Sequence, residues 1–306
     1  MHSRVKIGLI GNGNWGKNYI TTAKNIDNLS LIDVTEAIKE AFHSTNLDYA
    51  VNKIFRLKKL SGFIIAISPI HQPRILIAIL KLKIPVIVEK PLCMKKDDLE
   101  KINQLCLKNN IVFVNHFHFF LQGFKQLEKK ISSDEISKIF IQDGNNGPVR
   151  KGVSSLFDWG PHAIGVCLKL MNEFPNKVEH YKPYRKASTN ILHTNWKIKL
   201  SFSSKRTCFL IIGNKFNKKK RIIKIFLKNK IKPIVIENNE VRGTTCLTPG
   251  LEKKTQQIIL PMEDLLHNFI TSIKNGVHDK NKTLKIASMS TTILLGLEKL
   301  SNEKKT

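Results

Sequence analysis

A glycine-rich turn stands between an apolar strand and a helix close to the N-terminus. Val5–Ile10 is a short run of β-forming residues that leads directly into Gly11, Gly13 and Gly16, spaced as G-x-G-x-x-G. The first glycine permits a tight turn, the second lets the backbone approach a pyrophosphate, and the third lets the helix pack closely on the strand. Free N–H groups at the helix start favour phosphate. The turn therefore predicts a doubly wound parallel sheet with a dinucleotide held at Gly11, Asn12, Gly13, Asn14, Trp15 and Gly16.

An acidic residue at the end of the second strand usually binds the adenosine ribose, about 20 residues after the turn. Residues 29–34 are the best candidate for that strand, and Asp33 is their only acid. Asp33 can equally be a solvent-facing residue or the cap of a helix over residues 35–42. The cofactor is therefore predicted as NAD or NADP, with NAD favoured.

Two further apolar runs, residues 62–67 and 85–88, are typical of strands buried on both faces of a parallel sheet. Ligands of open α/β sheets bind outside the carboxyl ends of such strands. Lys90 stands at one of these ends, where an ammonium group can donate to a substrate hydroxyl and stabilise negative charge on its oxygen. A surface lysine after a strand is the alternative. The strand ends add four residues to the predicted cofactor site: Ser68, Pro69, Glu89 and Lys90.

His116 and His118 follow another predicted strand, residues 111–114. Two histidines at i and i+2 resemble a metal pair, but no H-E-x-x-H motif or second ligand cluster accompanies them. Their alternation with phenylalanine fits a strand end that enters a domain junction. We therefore predict no metal site and assign His116 to the substrate cleft.

The pattern changes after residue 117, so we predict a dinucleotide-binding domain over residues 1–117 and a second domain over residues 118–306. Alternating residues in the second domain predict an open, mostly antiparallel sheet with one buried face. A hairpin turn is expected over residues 214–220. The predicted strands are residues 138–142, 196–202, 208–212, 222–227 and 234–236, and the predicted helices are residues 122–131, 262–275 and 284–300.

Asp158 and His162 are four residues apart near the start of another predicted helix. Pro161 would take the first helical position, which places His162 in the first turn and Asp158 just ahead of it. A neutral imidazole can accept the proton of a substrate hydroxyl while a carboxylate orients it and stabilises the cation. A capping aspartate followed by a polar first-turn histidine is the alternative.

Composition excludes several classes of protein. The chain has 306 residues, enough for two domains, and the formal net charge is +27. Only 8 of its 51 basic residues are arginine, so the charge favours a lysine-rich surface over a nucleic-acid groove. No apolar run is long enough to span a membrane, and we find no signal peptide, so a cytoplasmic protein is expected. Five widely spread cysteines fit reduced thiols.

Together, three motifs resemble the Gfo/Idh/MocA family (glucose-fructose oxidoreductase / inositol 2-dehydrogenase). They are the glycine turn with Lys17 and Asn18, the run Ile87-Val88-Glu89-Lys90-Pro91-Leu92, and the run Phe157-Asp158-Trp159-Gly160-Pro161-His162. The resemblance implies a Rossmann domain, an α/β domain with an open antiparallel sheet, a nicotinamide cofactor and sugar or polyol substrates. By resemblance Lys90, Asp158 and His162 are catalytic, with His162 the general acid/base, and homodimers or homotetramers form through the sheet.

The stretch from Gly147 to His162 looks most like members that act on nucleotide-linked sugars in surface-polysaccharide pathways. Ala163 and Gly165 depart from the family, because many members carry an acid there. We therefore expect an NAD(P)-dependent oxidoreductase that acts on a sugar, with Lys90, His116, Asp158 and His162 contacting the substrate. A catalytically inactive cofactor-binding regulator or scaffold of the same fold is the alternative, and a nucleic-acid-binding protein is a second, disfavoured one.

Overall fold

The computed structural model describes residues 4–42, 46–106, 110–147, 149–181, 194–237, 240–242, 260–276 and 282–303. The strands are β1 (Val5–Ile10), β2 (Leu29–Asp33), β3 (Gly62–Ile65), β4 (Val86–Val88), β5 (Val112–Val114), β6 (Ile136–Asn146), β7 (Lys177–Tyr181), β8 (Asn195–Ser201), β9 (Thr207–Gly213), β10 (Lys215–Leu227), β11 (Ile234–Glu237) and β12 (Glu240–Arg242). The helices are α1 (Asn14–Ala23), α2 (Thr35–Ala41), α3 (Leu47–Leu57), α4 (Gln72–Lys81), α5 (Lys96–Cys106), α6 (Gln122–Lys130), α7 (Ser155–Met171), α8 (Pro261–Asn275) and α9 (Lys282–Glu303).

The chain divides into two compact units, each with its own sheet. The first unit contains Met1–Asn115 and Leu260–Thr291, and the second contains His116–Ile259 and Thr292–Thr306. In the part of the chain described above, no helix combines the length and the apolar character needed to cross a membrane.

The first unit contains a five-stranded parallel sheet in the order β2-β1-β3-β4-β5. Every residue of β3 and β4 is buried, as expected for central strands covered by helices on both faces. Strand order reverses at β1, so the chain crosses from one half of the sheet to the other next to the glycine turn. This confirms the predicted doubly wound sheet.

The boundary of the first unit differs from the predicted cut after residue 117, because α8 and the start of α9 pack with the first sheet. The Phe269 ring of α8 lies edge-on to Phe113 of β5, with centroids 5.7 Å apart. The Val114 amide donates to Thr283 Oγ1 at 3.1 Å, and the Ser288 hydroxyl donates to Asn103 at 2.8 Å. Because α8 buries its apolar side chains against the first sheet, the C-terminal segment Leu260–Thr291 belongs to the first unit.

The second unit contains a seven-stranded sheet in the order β12-β11-β10-β6-β9-β8-β7. Neighbouring strands are antiparallel except for β6 and β9, which run parallel. Buried and less buried residues alternate along β8 and β9, and α7 packs on the buried face. The mostly antiparallel sheet predicted for this part of the chain is therefore confirmed.

Two local predictions in the second unit are wrong. The expected turn over residues 214–220 is largely strand, since β10 starts at Lys215 and pairs with β6 across a register irregularity between Lys215 and Lys220. Cross-strand pairing overrides the local preference of this lysine-rich run.

The helix α7 begins at Ser155, earlier than predicted. Asp158, expected just ahead of the helix, and Pro161, expected at its first position, therefore both lie inside it. Nearly the whole of α7 is buried, and tertiary packing outweighs the cost of an internal proline.

We expect Phe269→Ala to destabilise the first unit strongly, because the Phe269 side chain is completely buried. Loss of a buried phenylalanine typically costs about 3–5 kcal/mol in the free energy of unfolding. Urea unfolding measures the change. Tyr49→Ala is the control, since Tyr49 is 67% exposed. Equal unfolding midpoints for the two variants would contradict the packing of α8 against the first sheet.

Candidate functional site

The glycine turn between β1 and α1 is shaped by close contacts at two of its three glycines. Gly11 has φ +108°, and a Cβ there would collide with the Ala66 carbonyl. A Cβ on Gly16 would collide with the Gly11 carbonyl oxygen. By contrast, a Cβ on Gly13 would have no atom within 4 Å. Gly11 therefore allows the turn to lie against Ala66 after β3, Gly16 allows α1 to pack against the turn, and the space beside Gly13 is open.

The N-terminus of α1 is suited to an anion. Its cap residue, Gly13, offers no side chain, and the first turn holds no acidic residue. The first N–H groups of an α-helix have no partner within the helix, and its dipole is positive at that end. Nothing in this turn competes with a phosphate for those donors.

Asp33 lies beside this turn, at the carboxyl end of β2. Its carboxylate accepts hydrogen bonds from the Thr35 amide at 2.9 Å and the Asn12 side chain at 3.3 Å, and Thr35 Oγ1 in turn accepts the Gly11 amide at 2.9 Å. Partial burial raises the pKa of Asp33, but the hydrogen bonds from Thr35 and Asn12 outweigh it and lower the pKa from its ordinary value. Asp33 is thus an exposed, ionised carboxylate that links the glycine turn to the start of α2.

A cavity of about 670 Å³ is lined by Thr35, whose amide donates to Asp33. Its lining combines side chains from the end of β1, from α2 and from the segment between β3 and α4, including Ile10, Thr35, Phe42, Ile67 and His71. The Phe42 and His71 rings meet edge-on with centroids 5.0 Å apart. The lining also includes the charged side chains Glu36, Lys39 and Glu40. Cavities that combine apolar walls with polar groups are typical of small-molecule sites. Its size and position suit the adenine end of a dinucleotide whose pyrophosphate lies at the glycine turn.

The loop after β3 also holds Ser68 and Pro69, neither of which lines the cavity. Ser68 is exposed and Pro69 is buried. The Ser68 carbonyl accepts the amides of His71 and Gln72 at 3.0 and 3.1 Å, which starts α4. The two predicted cofactor residues therefore stand at the turn that carries His71 into the cavity wall.

Glu89 is buried and hydrogen-bonded within the first unit. Its carboxylate accepts the Tyr19 hydroxyl and the Asn115 amide, both at 2.8 Å. Burial raises the pKa of Glu89, although the two hydrogen bonds and the Lys90 charge lower it in part. Lys90 itself is 8% exposed, and the Lys90–Pro91 peptide bond is cis. Sequence reasoning missed Tyr19 and Asn115, because nothing local marks them as partners of Glu89.

The second unit carries Asp158 and His162 on α7. Their spacing of four residues puts both on one face of the helix. Asp158 is paired with Arg150, whose Nη1 lies 3.5 Å from Oδ1, and its side chain is 12% exposed. A carboxylate held beside a guanidinium and one helical turn from an imidazole can orient that imidazole and stabilise its charged form. Arg150 entered the sequence prediction only as part of a longer motif.

Aromatic rings from the segment after β5 surround His162. The His116, His118 and Phe117 rings lie with centroids 6.2, 5.6 and 6.5 Å from that of His162. Gly165 makes room for this contact, since a Cβ there would lie 2.9 Å from His116 Nδ1. The structure thus brings His116, which is buried, to His162. It also adds His118, which sequence reasoning treated only as half of a rejected metal pair.

His118 is a neutral member of this group. Burial, with a further contribution from the Arg221 charge, lowers the pKa of His118 to about 3. Within the residues that have described positions, no group of three or more His, Cys, Asp and Glu side chains is arranged to hold a metal ion. His118 therefore stands beside His162 as an uncharged aromatic ring.

The predicted site residues fall into two sets. The first unit holds the glycine turn, Asp33, the Ser68–Pro69 turn, Glu89 and Lys90, and the second holds His116, Asp158 and His162.

Comparison with known proteins identifies the fold. Residues 5–116 match the family model Gfo/Idh/MocA, described as an oxidoreductase family with an NAD-binding Rossmann fold. No curated protein matches the sequence. Three solved structures illustrate the likeness over nearly the whole chain. A putative oxidoreductase from Magnetospirillum magnetotacticum is 21% identical, with a TM-score of 0.73 over 95% of this chain and 99% of that one.

The other two have named activities. UDP-N-acetylglucosamine 3-dehydrogenase from Acidithiobacillus ferrooxidans is 13% identical, with a TM-score of 0.73 over 95% of this chain and 96% of that one. Myo-inositol 2-dehydrogenase from Lactobacillus plantarum is 13% identical, with a TM-score of 0.75 over 99% of this chain and 98% of that one. At these identities the structures establish a shared fold. Together with the family match over residues 5–116, they confirm the sequence resemblance: this chain is similar to the Gfo/Idh/MocA oxidoreductases, with an NAD-binding Rossmann fold in its N-terminal part.

Proposed function

We propose that this protein is an NAD(P)-dependent oxidoreductase that transfers a hydride between nicotinamide and a carbinol carbon of a sugar. The observation that carries the proposal is the glycine turn of the first unit, where Gly13 leaves open space beside the uncapped start of α1 and Thr35 joins the turn to a cavity large enough for part of a dinucleotide. When bound, the nicotinamide supplies the hydride donor or acceptor. The residues of this chain supply placement and proton handling.

The proposed proton transfer runs through His162. In the oxidation direction, neutral His162 takes the proton of the substrate hydroxyl as general base, and it returns a proton in the reduction direction. Asp158 orients the imidazole and stabilises its cationic form, while Arg150 holds the Asp158 carboxylate in place. Lys90 donates a hydrogen bond to the reacting oxygen, and His116 contacts the sugar.

Asp33 supports NAD as the cofactor. An ionised carboxylate at the end of β2 can accept hydrogen bonds from the ribose hydroxyls, whereas it repels the 2′-phosphate of NADP. The low pKa of Asp33 keeps that charge in place at neutral pH.

A nucleotide-linked sugar in surface-polysaccharide biosynthesis is the narrower proposal for the substrate. The resemblance of the stretch from Gly147 to His162 supports it. The solved UDP-N-acetylglucosamine 3-dehydrogenase shares the fold and is named for activity on such a substrate. A regulator that binds the cofactor without turnover is the alternative, and it would show cofactor affinity with no change in nicotinamide absorbance for any sugar offered.

The outward face of the second sheet supports assembly into homodimers or homotetramers. Phe140, Phe209 and Phe226 stand half-buried on it, and the Lys138 ammonium lies 5.3 Å from the ring centroids of both Phe209 and Phe226. A patch of aromatic rings and lysine stems on a sheet face is typical of a surface that a second copy covers.

We expect Asp33→Ser to shift the cofactor preference toward NADPH by about tenfold or more, because the repulsive carboxylate is removed. Fluorescence titration of NADH and NADPH measures both dissociation constants. Asp27→Ser is the control, since Asp27 is also exposed and lies ahead of β2. An unchanged preference in Asp33→Ser would remove Asp33 from the ribose site.

We expect His162→Ala to slow turnover by about a hundredfold or more, the usual scale for loss of a general base, with NADH affinity nearly unchanged. The rate is followed at the nicotinamide absorbance band with a panel of nucleotide sugars. His267→Ala, on the exposed side of α8, is the control. Wild-type rates in His162→Ala would rule out His162 as the base.

We expect Phe209→Asp to shift the protein toward monomers, because it removes a large ring from the proposed interface and adds a charge that an interface would have to desolvate. Light scattering during gel filtration measures the mass. Thr207→Asp, at the first residue of the same strand, is the control for added charge. A monomeric wild type, or an assembly that Phe209→Asp leaves intact, would argue against this face as the interface.

A further inference from the structure

We propose that Gln72 is a positioning residue for Lys90, which it serves by holding the backbone on both sides of that lysine. The inference rests on the proposed function, because it takes Lys90 as a residue that meets the reacting oxygen. It assigns a role to a side chain that belongs to none of the three sequence motifs.

The Gln72 side chain forms a bridge across the Glu89–Pro91 turn. Nε2 donates to the Glu89 carbonyl at 2.7 Å and to the Pro91 carbonyl at 2.6 Å. A primary amide has two N–H groups, so each carbonyl can receive its own hydrogen bond. These two carbonyls flank Lys90 in sequence, and the Gln72 side chain is completely buried. The amide therefore defines the path of the backbone from which the Lys90 side chain departs.

The turn is also held from its other side through Glu89. Tyr19, from α1, and Asn115, directly after β5, both donate to the Glu89 carboxylate, and Asn115 also donates to the Tyr19 hydroxyl at 3.2 Å. Gln72 itself is the first residue of α4. Three elements of the first unit thus converge on one tripeptide.

Such convergence suits a lysine that must place its ammonium group accurately. Lysine has a flexible four-carbon stem, so the position of its charge depends on a well-defined backbone. Functional side chains need to be held within about 0.5 Å of the productive geometry. A misplacement of about 1 Å can cost roughly a hundredfold in rate. By holding the carbonyls on either side of Lys90, Gln72 limits that misplacement.

A second buried amide in the same unit offers a matched control. Asn110 Nδ2 donates to the carbonyls of Leu80 and Leu105, both at 3.1 Å, and its side chain is 1% exposed. Among the described residues, neither Gln72 Oε1 nor Asn110 Oδ1 has a hydrogen-bond partner. The two amides are therefore alike in burial and in bonding, and they differ in which backbone segment they bridge.

The test compares Gln72→Met with Asn110→Leu in the full-length protein. Both variants lose a buried amide bridge and should unfold at similarly lowered urea concentrations. Competitive acetylation with acetic anhydride, read by mass spectrometry against the exposed Lys101, reports how open the Lys90 region is and needs neither cofactor nor substrate. We expect the acetylation rate of Lys90 to rise about tenfold in Gln72→Met, because the Glu89–Pro91 turn opens locally more often. In Asn110→Leu the acetylation rate of Lys90 should stay at the wild-type value.

Turnover supplies the second readout. With any sugar that the wild type accepts, kcat should fall roughly a hundredfold in Gln72→Met with little change in KM for NADH, while Asn110→Leu keeps wild-type values. The kcat of Gln72→Asn, which retains the amide on a shorter side chain, should lie between those of wild type and Gln72→Met. Gln72→Asn also serves as the test variant if Gln72→Met does not fold. Equal acetylation of Lys90 in wild type and Gln72 variants, or an equal rise in Asn110→Leu, would overturn the proposal. A wild type without NAD(P)H binding or turnover would instead refute the proposed function and leave the acetylation result to decide the role of Gln72.

Discussion

The close approach of two glycines is the contact on which the first unit depends. Gly16 lies so near the Gly11 carbonyl that no side chain fits between them, and α1 can therefore pack directly against the end of β1. This packing places the N–H groups of α1 beside the open Gly13 and buries Tyr19 further along the helix. Through Tyr19 the same helix reaches Glu89, so the glycine turn and the lysine turn share one supporting framework.

The second unit holds its polar side chains in a different way. The helix α7 is buried almost throughout, and its two polar site residues are accompanied by specific partners rather than by solvent. Arg150 pairs with Asp158, and three aromatic rings stand around His162. His118 is neutral, and the Arg221 guanidinium lies 5.6 Å from the centroid of the Phe117 ring. In the proposed reaction, this imidazole exchanges a proton with the hydroxyl of the substrate.

Much of the fold could be predicted from the sequence, because its strongest signals are local. Fully apolar strands such as β3 predicted a parallel sheet, and clean alternation in β8 predicted an antiparallel one. Errors arose where long-range pairing opposed local preference. The lysine-rich start of β10 is drawn into the sheet by β6, and Pro161 is carried inside a helix that burial stabilises. The return of α8 to the first sheet had no local signal, since an amphipathic helix does not show in its sequence which surface it will cover.

The sequence by itself determined the residue types that carry the chemistry: a G-x-G-x-x-G turn after an apolar strand, a lysine after another strand, and an aspartate and a histidine four residues apart. These are visible because each depends on residues close together in the chain. Only the tertiary structure decided which side chains support them. Gln72 at the Lys90 turn, Tyr19 and Asn115 at Glu89, and His118 beside His162 come from distant segments or from positions without a motif. Hydrogen bonds and ring contacts act over a few ångströms in space, and the chain must fold before those distances exist.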